Sequence, residues 1–301
     1  MRVVLTGSNG QLGRELVYTK PLNIELISTT KKELDLSDEK SCRNFIIKSK
    51  PDWIINSGAF TDVDKAEKET KLAFSINAEA PKIFAETLES HGGKLLQIST
   101  DFVFNGNQNF PYKTDSIKSP LSVYGLSKSV AEDKILEKLA KSNQALILRT
   151  SWLMGAYGKN FAMKMLGFHK NKEDLKVVVD QIGCPTNPNK LAILCWRIIT
   201  EEKLIDKLKS LNLPPILHWC DDGIASWYDV AYEVGEMAKN YGLIKKNLKI
   251  KPIFSKDYKT LAKRPNYSLL DNNLVKELLN FEGDHWRHML KKSFEKYFIS
   301  K

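Results

Sequence analysis

No apolar run in the chain approaches the roughly 20 residues that cross a bilayer, and the first strand-like run begins at Arg2, which leaves no space for a secretory leader. A cytoplasmic protein with no membrane segment is expected. Cysteine is scarce, and Cys42, Cys184, Cys195 and Cys220 lie in separate segments with no Cys-x-x-Cys pair. That excludes a disulfide framework and points to reduced thiols. His285 and His288 have only Asp284 beside them at ligand spacing, so no metal site is assigned. The net charge of +10 favours anionic partners. Its lysines are nevertheless scattered along polar faces (Lys128, Lys134, Lys138, Lys141; Lys245, Lys246, Lys249, Lys251) with no interleaved aromatics, and no nucleic-acid partner is expected. What remains is an ordinary globular mixture, 42% apolar and 27% charged, in a chain of 301 residues that can bury a full core.

Short apolar runs recur along the first half: Arg2 to Thr6, then IELIS, DWIIN, KLLQIS and ALILRTS. Between them lie helical patterns over Gln11 to Tyr18, Asp38 to Ser49, Lys71 to Ser90 and Ser122 to Ala140. Such alternation predicts an α/β fold, a Rossmann-like doubly wound parallel sheet covered by helices on both faces. After Trp152 the pattern loosens into GAYGKNF, a helix, the strand LKVVV, the loop DQIGCPTNPNK, a helix to about Thr200, the strand PPILHWC, a helix capped by Ser226 and a Lys-rich tail. No clean linker is visible. The expected organisation is a dinucleotide-binding domain over 1–150, joined by about 174–220, with an interleaved substrate lobe from 151–173 and 221–301.

The stretch TGSNGQLG sets Gly7, Gly10 and Gly13 three apart between the first strand and the first helix. Glycines there allow a tight turn, and the helix's first N–H groups are left to hold an anion such as a pyrophosphate. Further on, SVYGLSKSVAED places Tyr124 and Lys128 on one helical face. A phenol, with a pKa of about 10, needs a neighbouring cation before it ionises readily; Lys128 is that cation. Ser99, Thr100 and Asp101, in QISTDFVFNG, follow the fourth strand, at the carboxyl edge where such sheets bind ligands. A hydroxyl there can hold a carbonyl oxygen for Tyr124 to protonate as a hydride arrives. The second strand ends ISTTKKELD, without the acidic residue that repels a 2′-phosphate, so NADPH is the expected cofactor, with NADH also admitted and Lys31 or Lys32 either phosphate partners or solvated surface.

The chain resembles the extended short-chain dehydrogenase/reductases, and within them the dTDP-4-dehydrorhamnose reductase family. The likeness runs nearly end to end, through TGSNGQLGREL, PDWIINSGAFTDVDKAE, NAEAP, ISTDFVFNG, PLSVYGLSKSVAE, LRTSW followed by GKNF, DQIGCPT, SWYD and KRPNYSLLD. It implies reduction of the C4 ketone of a dTDP-linked 4-keto-6-deoxy sugar, with Tyr124 as general acid, Lys128 as its electrostatic partner and ribose donor, and Thr100 holding the carbonyl. By the same resemblance Gly7, Asn9, Gly10, Gln11, Leu12 and Gly13 line the pyrophosphate turn, Asp35 and Leu36 flank the adenine, Ala59, Thr61 and Ser99 lie along the cofactor, and Asn77 braces that region. Asp101, Phe102, Trp152, Asn160, Gln181 in its loop up to Thr186, and Arg264 bound the sugar. Phe102 departs from the tyrosine common in the family, which removes one hydroxyl contact. The resemblance leaves a homodimer open. It also leaves two other readings: a noncatalytic NADP-binding regulatory subunit like that of methionine adenosyltransferase, and a nucleotide-sugar epimerase or dehydratase, for which Asp101 would be the extra acid.

Overall fold

Alternate residues of the first strand point to opposite layers, and that alternation organises the fold. In the computed structural model, which describes residues 1–171, 174–246 and 248–299, β1 (Arg2–Thr6) sends Val3 and Leu5 to one core and Val4 to another. Then follow α1 (Gln11–Tyr18), β2 (Glu25–Thr29), α2 (Glu39–Ser49), β3 (Trp53–Asn56), α3 (Val63–Lys68), α4 (Thr70–Phe74), α5 (Ala80–His91), β4 (Lys94–Thr100), α6 (Val123–Leu139) and β5 (Ala145–Thr150). The second half adds α7 (Phe161–Asn171), β6 (Asp174–Val178), β7 (Ile182–Gly183), α8 (Pro188–Thr200), α9 (Leu204–Ser210), β8 (Ile216–Trp219), β9 (Ala225–Ser226), α10 (Trp227–Asn240), β10 (Lys249–Ile253), α11 (Asn273–Leu279) and α12 (Trp286–Ile299). The strands of the main sheet run β2-β1-β3-β4-β5-β8, all parallel. Strand order reverses between β1 and β3, and the crevice beyond their carboxyl ends is where such sheets take ligands.

Leu12, Leu16, Leu191, Leu194 and Ile198, from α1 and α8, cover one sheet face. Ile46, Ile83, Phe84, Leu88 and Ile135, from α2, α5 and α6, cover the other. A third core gathers Met165 and Leu166 of α7, Val230 and Val234 of α10, and Leu290 and Phe294 of α12, beside the sheet. The strand at 174–178 differs from expectation: β6 pairs with β10, apart from the six-stranded sheet. Its exposed and half-buried residues suit a two-stranded ribbon, not a doubly covered central strand. The residues of α8 and β8 do join the sheet and its packing.

The helix expected from Lys71 to Ser90 contains a wider, π-helical turn at Ser75–Glu79. Pro81 has no N–H to give the carbonyl of Asn77, four residues back, so regular bonding is interrupted there. Asn77 uses the irregularity: its amide donates to the Phe60 carbonyl and to Ser127 Oγ, and its Oδ1 accepts from Phe60 N.

Candidate active site

The glycine turn is shaped by close packing. Gly7 adopts φ +68°, and a Cβ there would stand 2.6 Å from Gly58 Cα. A Cβ on Gly13 would overlap the Gly7 carbonyl oxygen. The first and third glycines thus let the turn and α1 fit together, and Gly10 precedes α1 as an N-cap with no side chain to cap it. Its first N–H groups face a cleft of about 670 Å³. Gly7, Asn9, Gly10, Gln11, Leu12, Gly13, Asp35, Leu36, Ala59, Thr61, Ser99, Tyr124 and Lys128, all assigned to the cofactor from sequence, line this one cleft. Thr100, Asp101, Trp152 and Asn160 line it too. Asn77 sits behind it as a brace. The uncapped helix, the room above the glycines and Lys31 beyond the end of β2 fit a dinucleotide.

Several side chains do something other than expected. Gln11 crosses from the glycine turn to the 153–160 segment: its Oε1 accepts from Gly155 N and Asn160 Nδ2, and its Nε2 donates to the Leu153 carbonyl. Ser99 contributes backbone to the cleft, but its hydroxyl turns inward to Glu132 at 2.5 Å. Phe102 lies outside the cleft lining and meets Tyr124 edge-on, with centroids 5.8 Å apart. Gln181 and Arg264 lie in a second cavity of about 710 Å³. There Arg264 forks onto Asp64 of α3, with Nη2 2.7 Å from Oδ2, and Gln181 accepts from Trp227 Nε1.

The two cavities share a partition. Trp152 lines the first and Trp227 the second, and their rings stack at 3.6 Å. Trp152 is held at φ +44°, a left-handed conformation rarely taken by a bulky residue. A Cβ on Gly183 would stand 2.9 Å from its ring.

The electrostatics of the reacting corner also differ from the sequence-based expectation. Lys128 donates to the Ile98 carbonyl at 2.6 Å. Burial pushes Tyr124 up to about 12, with the Thr100 hydroxyl, in hydrogen-bonding reach, pulling the other way. The cationic lowering expected of Lys128 does not dominate, because that ammonium faces the strand and burial brings its own pKa down to about 8, against the pull of Glu132. Burial likewise lifts Asp101 to about 7. Tyr124 therefore keeps its proton at neutral pH.

Sequence reasoning missed the buried pair beneath this corner. Glu132, four residues beyond Lys128, receives both the Nε and Nη2 of Arg149 at 3.0 and 2.8 Å, and both side chains are almost fully excluded from water. His218 completes the group at 3.2 Å from Arg149 Nη1, held neutral by burial that pulls it down to about 3. The signal available was the acid one turn past Lys128. Sequence reasoning also gave no role to Lys164, Lys176, Lys256, Lys259 and Lys263, which line the second cavity.

Residues 1–299 match the family model described as the RmlD substrate binding domain. The chain is 36% identical over 292 residues to the dTDP-4-dehydrorhamnose reductase of Aggregatibacter actinomycetemcomitans, covering 96% of this chain and 97% of that one. The chain belongs to this reductase family. A Clostridium acetobutylicum dTDP-4-dehydrorhamnose reductase structure superposes with a TM-score of 0.87 at 33% identity, covering 100% of both chains. A family member from Bacillus anthracis, solved in complex with NADP, superposes with a TM-score of 0.83 at 32% identity, covering 98% of this chain and 99% of that one. The family's full-length match spans both cavities.

Proposed function

We propose that this protein reduces the C4 ketone of dTDP-4-dehydro-L-rhamnose to dTDP-L-rhamnose with NADPH, NADH also being admitted. The observation that carries the reading is the meeting of Tyr124, Thr100 and Lys128 at the floor of one cleft whose other end is the uncapped glycine turn. Bound there, the cofactor supplies a hydride. Tyr124 gives its phenolic proton to the ketone oxygen, and Thr100 holds that oxygen in line. Lys128 anchors the cofactor ribose and fixes the end of β4 through Ile98. The Trp152–Trp227 stack bounds the sugar, and the basic second cavity takes the nucleoside diphosphate.

A merely regulatory subunit would have no use for a proton donor and a carbonyl-holding hydroxyl in contact, so their pairing favours an enzyme. The described residues include no helix long and apolar enough to cross a membrane, and all four cysteines are buried and unpaired. The free cysteines support a reducing, cytoplasmic setting. The test is to follow NADPH oxidation by the purified protein with several dTDP-linked keto sugars. Tyr124→Phe should lower kcat at least about a hundredfold while leaving NADPH binding nearly intact, because only the proton donor is lost. Undiminished turnover by that variant would remove Tyr124 from the mechanism.

A further inference from the structure

Glu132 and Arg149 pair between α6 and the sheet with side chains 0% and 1% exposed, and neither lines the cleft. Taking two charges out of water costs much of what their attraction returns, so stability alone is a weak reason for such a pair. Its hydrogen bonds show where it acts. Arg149 stands opposite Ser99 in the β4–β5 register, which puts both side chains on the sheet face that meets Glu132. Glu132 Oε1 accepts from Ser99 Oγ at 2.5 Å and from Arg149 Nε at 3.0 Å, and Oε2 takes Arg149 Nη2 at 2.8 Å. One turn earlier on α6, Lys128 donates to the Ile98 carbonyl. The end of β4 is thus tied to α6 at two successive residues, Ile98 and Ser99, and the next residue is Thr100. We propose that Glu132 is a positioning residue for the reduction: seated on Arg149, it holds Ser99 and so sets how far Thr100 stands from Tyr124. The proposal rests on the reductase reading above and adds to it a part that touches neither substrate nor cofactor.

The geometry suits a brace. Tyr124, Lys128 and Glu132 follow one another at four-residue steps along α6, so whatever fixes the third fixes the first. Apolar contacts between a helix and a sheet have no direction, whereas a guanidinium fork on a carboxylate admits one orientation. Arg149 is itself immobilised from the far side. Its Nη1 donates to the Thr114 carbonyl and meets His218 of β8, each at 3.2 Å, and its guanidinium lies over the Phe104 ring. Lys118 adds a second cation 3.4 Å from Glu132 Oε2. The carboxylate therefore cannot follow α6 if the helix drifts, and the helix cannot drift without breaking the fork. Precision matters at this place, because a misplacement of about 1 Å between reacting groups costs about a hundredfold in rate.

The experiment is stopped-flow NADPH oxidation with the dTDP-linked 4-keto-6-deoxy sugar, read beside NADPH affinity and melting temperature. Ser99→Ala is the sharper probe, since it cuts the tie to β4 and leaves Glu132 Oε1 bonded to Arg149 Nε. Its first turnover should slow about tenfold, while the NADPH Kd and the sugar KM stay within about twofold of the parent. Glu132→Gln, which leaves the Arg149 charge buried without its counter-ion, should slow the first turnover about a hundredfold and lower the melting temperature. Because Glu132 acts through Ser99, the double variant should be no slower than Glu132→Gln alone. Multiplying effects would mean two independent roles and would overturn the proposal. So would a loss of NADPH affinity matching the loss of rate, the mark of general damage to the cleft. Should Glu132→Gln not fold, Ser99→Ala decides by itself, and an unaltered first turnover in that variant refutes the brace. Absence of any NADPH oxidation by the wild type would instead strike at the reductase reading.

Discussion

The two cavities on either side of the Trp152–Trp227 stack are built by opposite means. The first is built around glycines and small residues at strand-to-helix turns (Gly7, Gly10, Gly13, Ser57, Gly58, Ala59), with larger side chains such as Tyr124 and Trp152 closing it. The second sets long basic side chains (Lys164, Lys176, Lys256, Lys259, Lys263, Arg264) among apolar and aromatic ones from α7, β6 and the 255–264 segment, brought together from far apart in the chain. A backbone cradle tolerates no added atom, because its donors are fixed by the fold. A side-chain cradle loses one contact at a time, since each lysine is separately solvated and separately mobile. The first should therefore fail abruptly and the second by degrees.

Gly13→Ala is the severest way to probe that contrast. Its methyl group would overlap the Gly7 carbonyl oxygen, and backbone cannot rotate away as a side chain can. NADPH affinity should fall at least about a hundredfold, with a lower melting temperature, by the cost of overpacking a closed turn. Titration of NADPH fluorescence checks it, and near-parental affinity would show that the turn is more pliable than its geometry implies.

Arg264 tests the other side. Its fork on Asp64 fixes the guanidinium at the mouth of the second cavity, where a phosphate can also be gripped by paired hydrogen bonds that a lysine cannot reproduce. Arg264→Lys should raise the KM for the dTDP-sugar by about tenfold and leave NADPH binding unaltered. The penalty should shrink for a keto sugar without the diphosphate. Equal kinetics on the full substrate would make the Asp64 pair purely structural.

The smallest effect is expected at Lys31, which lines the first cavity with its side chain 72% exposed. Lys31→Ala should weaken NADPH about threefold and NADH hardly at all, and the difference should fade in high salt as screening removes it. A variant that loses both cofactors equally, or a parent that strongly prefers NADH, would end the assignment of a 2′-phosphate contact there.

Local chemistry explains why so much of this was legible in the chain. The β1–α1 turn, the Ser122 cap of α6 and the Ser226 cap of α10 depend on residues within a few positions of one another, so the sequence alone determined them. The same holds for the alternation of Val3, Val4 and Leu5 between two cores and for the spacing that puts Tyr124 near Lys128. What depended on distant partners had to wait for the tertiary structure. β6 is a plausible central strand by composition, and only its pairing with β10 takes it out of the sheet. Lys128 could face the phenol or the strand, and the Ile98 carbonyl decides which. Arg264 reaches Asp64 across 200 positions of chain, and Glu132 meets Arg149 and Ser99 in a dry interior. Burial, which moves Tyr124, Lys128 and Asp101 away from their ordinary proton affinities, belongs to no residue singly. It is the joint product of every element that excludes water from that corner, and so it exists only once the chain has folded.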